Sequence, residues 1–507
     1  MQATLEQRRI IETDAPLVVV RAVAGAGKTS TLIEFAKYRR TKRILYLVLT
    51  KSVQTEAEHK FRGTLVKPLT SHALAYRHTG AQYRHKLVKG IKPYEIEKAL
   101  VLGRELQTEP EYTGNRNNDL VVSSIVIDTL QKFLYSTDKE ILGKHVGENT
   151  SKLRKMFGDL SGSKINEIVV AQAKHLWEMM TDPENPRVGM LHDGYLKLYQ
   201  LSEPVLSEYD VIMVDEAQDM NPVSLSIVFR QKASKVLVGD DGQAIFAWRG
   251  AKNALGFAIR QGGVAFNLTG SFRFGPNVAS VANAIMSIKG HALKVQGLLP
   301  GDRIGAIPDG EKRTVISRTN ADVFSQTAYA MHDNLSWWHV GGSEGYRFDQ
   351  ILDIYYLWKR SFERIRDPFI RTFTDFAELK TYAEDVEDVE IKPRCRIVEE
   401  YKDCIPVIID NITQRVGAAM DMKCANLVLS TCHKAKGLEW PHVQIDNDFI
   451  ELCEIPDLSK LNEIDRLETL KKINEDLNIL YVAVTRAKKV LQLNLDLMTY
   501  LRREAAE

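Results

Sequence analysis

Short, uninterrupted apolar runs recur along the chain: LVVV (17–20), ILYLVL (44–49), VIMV (211–214), KVLVG (235–239), TVIS (314–317), LVLST (427–431), VQID (443–446) and VLQLNL (490–495). Runs of this length, without polar alternation, suit strands covered on both faces by helices, so they predict buried strands in parallel sheets. Between them lie stretches with the spacing of amphipathic helices, such as NEIVVAQAKHLWEMM (166–180). The pattern predicts an α/β protein with helical material concentrated near 86–204.

At 507 residues the chain exceeds what one hydrophobic core supports and implies about three or four compact units. Its 44% hydrophobic and 26% charged residues are an ordinary globular balance, which argues against disorder or a collagen-like chain. Lys and Arg number 68 against 66 Asp and Glu, and a net charge of +2 neither demands nor excludes a polyanionic partner. Two local runs stand out, basic KYRRTKR (37–43) and acidic YAEDVEDVE (382–390), and each reads first as a solvated face or loop. Cys395, Cys404, Cys424, Cys432 and Cys453 show no C-x-x-C or Cys/His finger spacing, so neither a zinc site nor a disulfide framework is expected, and a reducing compartment fits. The N-terminus MQATLEQRRIIETD has no apolar segment, and no run approaches the roughly 20 apolar residues of a membrane span. An intracellular, soluble protein without membrane attachment is expected: cytoplasmic and nucleoid-associated, or nuclear in a eukaryote. There are no internal repeats and no low-complexity segment.

The first strand leads into RAVAGAGKTST (21–31), where Ala22, Gly27, Lys28 and Thr29 match G-x-x-x-x-G-K-[ST] with Ala in place of the first Gly. Small residues let backbone N–H groups close around phosphate, Lys28 reaches the β and γ oxygens, and the Thr29 hydroxyl joins a Mg²⁺ shell. A helix starting at Thr29 aims its N-terminus at the anion. The metal shell needs a carboxylate and hydrolysis needs a group to orient water. YDVIMVDEAQDM (209–220) supplies both, with Asp215 for Mg²⁺ and Glu216 to polarise water at the C-terminal end of a buried strand. The expected ligand is therefore a nucleoside triphosphate.

VLVGDDGQAIFAWRGA (236–251) ends another apolar strand with Gln243, whose amide can sense a γ-phosphate or its water, followed by Phe246, Trp248 and Arg249. Aromatics are more often core than platform, but directly after such a sensor Phe246 and Trp248 offer stacking faces for bases, worth about 1–3 kcal/mol each. With these residues in place the sequence resembles the UvrD/Rep group of superfamily 1 DNA helicases. LEQRRII holds a Gln like the family's adenine reader, Gln7, and AVAGAGKT resembles motif I; LVLTKS and TSHALAY resemble motifs Ia and Ib. VDEAQD is motif II, GDDGQAIFAWRGA motif III, LTGSFRF (268–274) motif IV, STCHKAKGLEW (430–440) motif V and LYVAVTRAKK (480–489) motif VI. A nearer likeness, through 191–219, 129–141 and 268–275, is to the helicase core of eukaryotic F-box DNA helicases. Only six residues precede Gln7, so no F-box is expected and the chain reads as a helicase core like that of a bacterial or viral relative.

The resemblance implies two RecA-like P-loop domains with parallel sheets, each carrying a mostly helical insertion. The first comprises 1–85 and 205–265 around an insertion at 86–204; the second comprises 266–360 and 422–507 around a smaller one at 361–421. It implies that Ala24, Gly25, Ala26, Gly27, Lys28, Thr29 and Ser30 surround the phosphates, Phe272 stacks on adenine where the family usually has Tyr, and Glu439 meets the ribose. Arg273 and Arg486 become γ-phosphate contacts, joining Lys28, Asp215, Glu216 and Gln243 as catalytic residues, with Thr29 and Asp215 on Mg²⁺. Thr50, His72, Phe246, Trp248, Thr431 and His433 fall in motifs that line the single-strand track; His72 and His433 also read as hydrogen-bonded structural histidines. The sequence departs from the family at EDLN (475–478), which keeps the acids of motif VI and lacks its two arginines, and in the short second insertion.

Implied activity is ATP- and Mg²⁺-dependent 3′-to-5′ translocation on single-stranded DNA with unwinding of tailed duplex, in repair, recombination or replication. Its rival is a translocase that strips recombinase filaments or other proteins with little unwinding. A third reading, a nucleic-acid scaffold with a vestigial ATPase, sits badly with the intact Lys28, Asp215, Glu216, Gln243 and Arg486. A monomer, acting with or without a loading protein, is expected.

Overall fold

The computed structural model describes residues 3–97, 116–147, 149, 162–246, 250, 253–386, 388–458 and 460–504. The apolar runs become strands of two six-stranded sheets. The first contains β1 (Leu17–Ala22), β2 (Ile44–Val48), β3 (Val66–Thr70), β4 (Val211–Val214), β5 (Ser234–Gly239) and β6 (Val264–Leu268), in the spatial order β3-β2-β4-β5-β1-β6. The second contains β7 (Arg303–Ile304), β8 (Arg313–Ser317), β9 (Trp337–His339), β10 (Leu427–Thr431), β11 (Trp440–Ile445) and β12 (Ala487–Gln492), in the order β7-β12-β11-β8-β10-β9. Every ladder in both sheets is parallel.

The strands that the apolar pattern does not announce lie toward the margins. β3 reads VKPLT, and Lys67 and Pro68 break its apolar run. Pro68 has no N–H to donate, which an edge strand tolerates because one row of its backbone donors faces no partner. β6 is the opposite edge, largely exposed or half-buried. The expected division at 265/266 falls inside β6, whose ladder with β1 runs from Val264 to Leu268.

Parallel ladders gather the C-terminal ends of all strands on one edge of each sheet, where ligands of open α/β sheets bind. On that edge β1 opens into the glycine-containing loop, β4 into Asp215 and β5 into Asp240.

Between β3 and β4 stand the helices Arg116–Tyr135, Gly162–Thr181 and His192–Leu201. Between β9 and β10 stand Phe348–Trp358, Phe376–Asp385, Ile391–Tyr401 and Ile405–Thr413, so helical packing here starts ahead of residue 361. Helix Phe376–Asp385 packs on Arg116–Tyr135, and one apolar cluster continues from the first sheet through both helical groups. Among the described residues no helix is long and apolar enough to cross a membrane.

Candidate active site

The loop after β1 turns through Gly25 (φ 75°) and Gly27 (φ 74°), left-handed conformations that favour glycine. At Gly25 space is equally decisive, because a Cβ there would stand 2.6 Å from Ser271 Oγ and 2.7 Å from Arg273 Cβ. Gly27 caps helix Lys28–Tyr38 without any side-chain hydrogen bond, so the first-turn N–H groups at Lys28, Thr29 and Ser30 face an anion position unblocked by a cap.

Around that helix end the charged groups form a connected set. Lys28 Nζ lies 3.2 Å from Glu216 Oε1. The Thr29 hydroxyl donates to Asp215 Oδ2 at 3.3 Å, the Tyr46 hydroxyl donates to the same oxygen at 2.6 Å, and Glu216 N donates to Asp215 Oδ1 at 2.9 Å. Glu216 itself sits at φ 51°, a strained backbone that places its carboxylate beside Lys28. Gln218 Nε2 donates to Glu216 Oε2 (2.5 Å) while its Oε1 accepts Asp240 N (3.0 Å). Asp240 Oδ2 accepts from Gln243 Nε2 at 2.5 Å and from the Tyr481 hydroxyl at 3.3 Å. The Tyr481 oxygen in turn accepts Ala24 N at 3.2 Å, tying motif VI to the phosphate loop.

Electrostatics follow this arrangement. Burial pushes Glu216 up, but the charges of Lys28 and Lys436 outweigh it and hold the carboxyl at about 2, ionised at neutral pH. Burial works against the Lys28 ammonium, yet Glu216, Asp240 and Asp215 raise its pKa overall. Asp215 is raised by burial and then by the neighbouring Glu216 charge. A buried carboxylate with a raised pKa gains from an added cation. Mg²⁺ keeps several waters and takes one or two protein oxygens together with substrate phosphates. Thr29 Oγ1 and Asp215 Oδ2, side by side at the foot of the loop, fit that requirement.

The second sheet completes the site. Arg486 is fully buried, and its Nη2 donates to Gln243 Oε1 at 3.1 Å; Nε and Nη1 are held by Val482 O (2.8 Å) and Leu438 O (3.3 Å). Arg273 Nε donates to Glu439 Oε2 at 2.8 Å and its Nη1 to Thr485 O at 3.1 Å. Glu439, expected at a ribose, is thus paired here with Arg273 and with Lys488 at 2.9 Å. Phe272 N donates to Gly25 O (2.9 Å), and its ring lies 3.8 Å from where a Cβ on Gly27 would stand; Gln7 Nε2 is 3.1 Å from the same point. Gln7 also closes a capping box, its Oε1 accepting Thr4 N at 3.0 Å, which fixes the amide beside the loop.

The residues expected along a DNA strand are more scattered. Thr50 is exposed and caps helix Lys51–Lys60, accepting Val53 N at 3.4 Å. His72 follows β3 and pairs with Asp193 Oδ1 at 3.0 Å, linking the first sheet to helix His192–Leu201. Phe246 and His433 meet across the two sheets with ring centroids 5.8 Å apart, and His433 Nε2 lies 3.2 Å from Ile245 O. Burial pushes His433 down, so it is neutral at pH 7. Thr431 is buried at the end of β10. Trp248 lies outside the described residues.

Several participants are absent from the sequence reading. Lys436 of motif V forms an ion pair with Asp219 and donates to Gln243 O at 2.6 Å, so a second cation bridges the two sheets. Asp219 and Gln218 stand inside the DEAQD segment, which was their signal; Tyr46 and Tyr481 sit among apolar neighbours that disguise them as core. Within the basic run 37–43, Arg39 and Arg43 are engaged locally. Arg39 binds Ile11 O (2.7 Å) and Thr13 O and stacks on Phe35, and Arg43 pairs with Asp210 at 3.2 Å. In the acidic run Asp388 caps the turn into helix Ile391–Tyr401, and Glu390 pairs with Arg394 at 3.0 Å.

Comparison with known proteins gives the family of the chain. Residues 3–259 match the model of the UvrD/REP helicase N-terminal domain, and residues 362–496 match that of the UvrD-like helicase C-terminal domain. The chain is 34% identical over 523 residues to F-box DNA helicase 1 of Gallus gallus, covering 97% of this chain and 49% of that protein. It is 31% identical over 524 residues to F-box DNA helicase protein 1 of Schizosaccharomyces pombe, covering 97% and 57%. A probable DNA helicase II homolog of Mycoplasma genitalium is 22% identical over 307 residues, covering 55% and 42%. The chain therefore spans about half the length of the curated relatives it matches. Two successive family models on one chain, over a site built from both of its parallel sheets, identify it as a member of the UvrD/REP helicase family.

Proposed function

We propose that the chain is an ATP-dependent DNA helicase that moves 3′ to 5′ on single-stranded DNA and separates tailed duplex, serving repair, recombination or replication. The observation that carries the reading is the contact of Arg486, from the second sheet, with Gln243, from the first. Through Asp240 and Gln218 that glutamine is connected to Glu216 and Lys28. A phosphate bound at the loop is then sensed by both halves of the molecule.

In this reading Lys28 and the first-turn N–H groups hold the β- and γ-phosphates. Bound Mg²⁺, held by Thr29 and Asp215, supplies positive charge to the phosphate oxygens. Glu216, ionised and fixed by Gln218, orients the attacking water. Arg486 and Arg273 neutralise charge that develops on the transferring group, the role for which arginine is worth several orders of magnitude in rate. Gln7 and Phe272 frame the base. Closure and release of the two sheets around the nucleotide shift Phe246 and His433 relative to each other, and that displacement moves the strand.

Strand displacement on matched duplexes with a 3′ or a 5′ single-stranded tail tests this, with Lys28→Met as control. Displacement from the 3′ tail alone, lost in the variant, is expected. Hydrolysis stimulated by DNA without displacement from either tail would instead support a translocase that strips recombinase or other proteins from the strand. DNA-stimulated hydrolysis undiminished in Lys28→Met would refute the site assignment.

A further inference from the structure

Tyr46 is fully buried in the middle of β2, and its ring packs edge-on against Phe61 with centroids 4.9 Å apart. Phenylalanine would satisfy that packing. The hydroxyl needs another reason, since burying it costs free energy unless it is hydrogen-bonded. Its hydrogen bond runs to Asp215 Oδ2, at 2.6 Å.

Sheet register explains how the two residues meet. β2 and β4 are parallel neighbours, with Tyr46 opposite Met213. Asp215 lies two residues beyond Met213 and so shares a sheet face with it and with Tyr46. Asp215 N donates to Leu47 O at 3.1 Å, extending the ladder by one step and fixing the backbone under the carboxylate. Its two oxygens then receive three donors: Tyr46 and Thr29 on Oδ2, Glu216 N on Oδ1. A carboxylate offers about four lone-pair sites. Of these donors Tyr46 is the shortest contact, and it is mounted on an interior strand paired on both sides.

We propose that Tyr46 is a positioning residue for the divalent cation: its hydroxyl fixes the direction of the Asp215 carboxylate so that, with Thr29, it meets a metal bound to nucleotide. This rests on the assignment of Thr29 and Asp215 as the metal oxygens under the proposed function. Groups that hydrogen-bond to a metal ligand orient it, and their removal costs about 10–100-fold in metal affinity.

Tyr46→Phe keeps the ring against Phe61 and deletes the hydroxyl. The probe is Mn²⁺ with ADP, with free Mn²⁺ read by electron paramagnetic resonance. Asp215→Asn serves as the control for the site, and Phe61→Leu disturbs the ring packing without touching the hydroxyl. Expected for Tyr46→Phe are Mn²⁺ affinity weakened about 10-fold or more, metal-free ADP affinity unchanged, and ATP hydrolysis recovering toward normal at high Mg²⁺. Phe61→Leu should bind Mn²⁺ normally. If Tyr46→Phe binds Mn²⁺ as tightly as the unsubstituted chain while Asp215→Asn does not, Tyr46 has no positioning role and the metal site stands. If Asp215→Asn also binds normally, both the inference and the site assignment fall.

Discussion

Replacing Arg486 by lysine keeps a positive charge and changes only how it is presented. The guanidinium is fully buried and donates to four acceptors in different directions: Val482 O, Leu438 O, Gln243 Oε1 and Thr485 Oγ1, at 2.8, 3.3, 3.1 and 3.0 Å. An ammonium is a single donor atom and cannot serve acceptors spread around a planar fork. At least two of these bonds are lost, each worth about 1.5–3 kcal/mol when one partner is charged, or about 3–6 kcal/mol together. Burial, then the nearby Arg273 charge, lowers the guanidinium to about 9, so it remains cationic at neutral pH and the exchange tests geometry rather than charge. Two effects should separate. The melting temperature falls by on the order of 10 °C, at about 2–4 °C per kcal/mol for a unit of this size. Assayed below its melting transition, with folding checked by circular dichroism, the variant should lose about 10³-fold or more of DNA-stimulated kcat while nucleotide affinity is preserved. A folded Arg486→Lys protein whose kcat stays within about tenfold of the unsubstituted chain would reduce Arg486 to a structural tie and remove the argument for catalysis across the two sheets.

Three further outcomes follow from the same geometry. Asp219 is pushed up to about 6 by burial, against the pull of Lys436, so the folded chain binds its proton more tightly than the unfolded chain does. Its contribution to stability is present in full below pH 4 and is lost as pH rises through about 6, some 3 kcal/mol in all; denaturant titrations across that window should show a slope that shrinks in Asp219→Asn, and an unchanged slope would contradict the shift. Asn478→Ala leaves Ala244 O and the half-buried Lys289 ammonium without the amide that joins them at 2.8 and 2.7 Å, so chemical unfolding should report a loss of about 1–3 kcal/mol per orphaned group. Gly25→Ala forces a left-handed alanine into contact with Ser271 and Arg273 and should depress nucleotide affinity measured by fluorescence titration; normal affinity would mean that the loop relaxes freely.

The apolar runs were legible because parallel strands covered on both faces need them, and each of them contains part or all of a strand, although VLQLNL (490–495) runs past the end of β12 at Gln492. β3 and β6 were not, since an edge strand carries less apolar sequence, and in β3 the Lys-Pro pair hides the period. At the site, loop glycines, Lys28, Thr29 and the Asp-Glu pair carry local patterns that advertise their chemistry. Tyr46 carries none, and Lys436 and Tyr481 lie inside motifs V and VI without showing whom they meet: all three become polar partners only when strands or sheets far apart in sequence come together.

The departure at EDLN shows the same limit from the other side. In sequence, Leu477 and Asn478 look like the loss of two arginines. In the structure Leu477 is fully buried among apolar neighbours, where an unpaired guanidinium would be costly. Asn478 uses both ends of its amide, donating to Ala244 O of the first half and accepting from Lys289 Nζ of the second. Asp476, retained from the acids of the motif, pairs with Arg318 at 2.6 Å. At these two positions the chain therefore contributes an apolar side chain that packs and an amide that reaches the Lys289 ammonium. Arg486 lies just past the end of the helix Glu463–Val484 that carries them and takes its support from Val482, Leu438 and Thr485. This arrangement joins the two halves next to motif III without touching the bonds that hold Arg486.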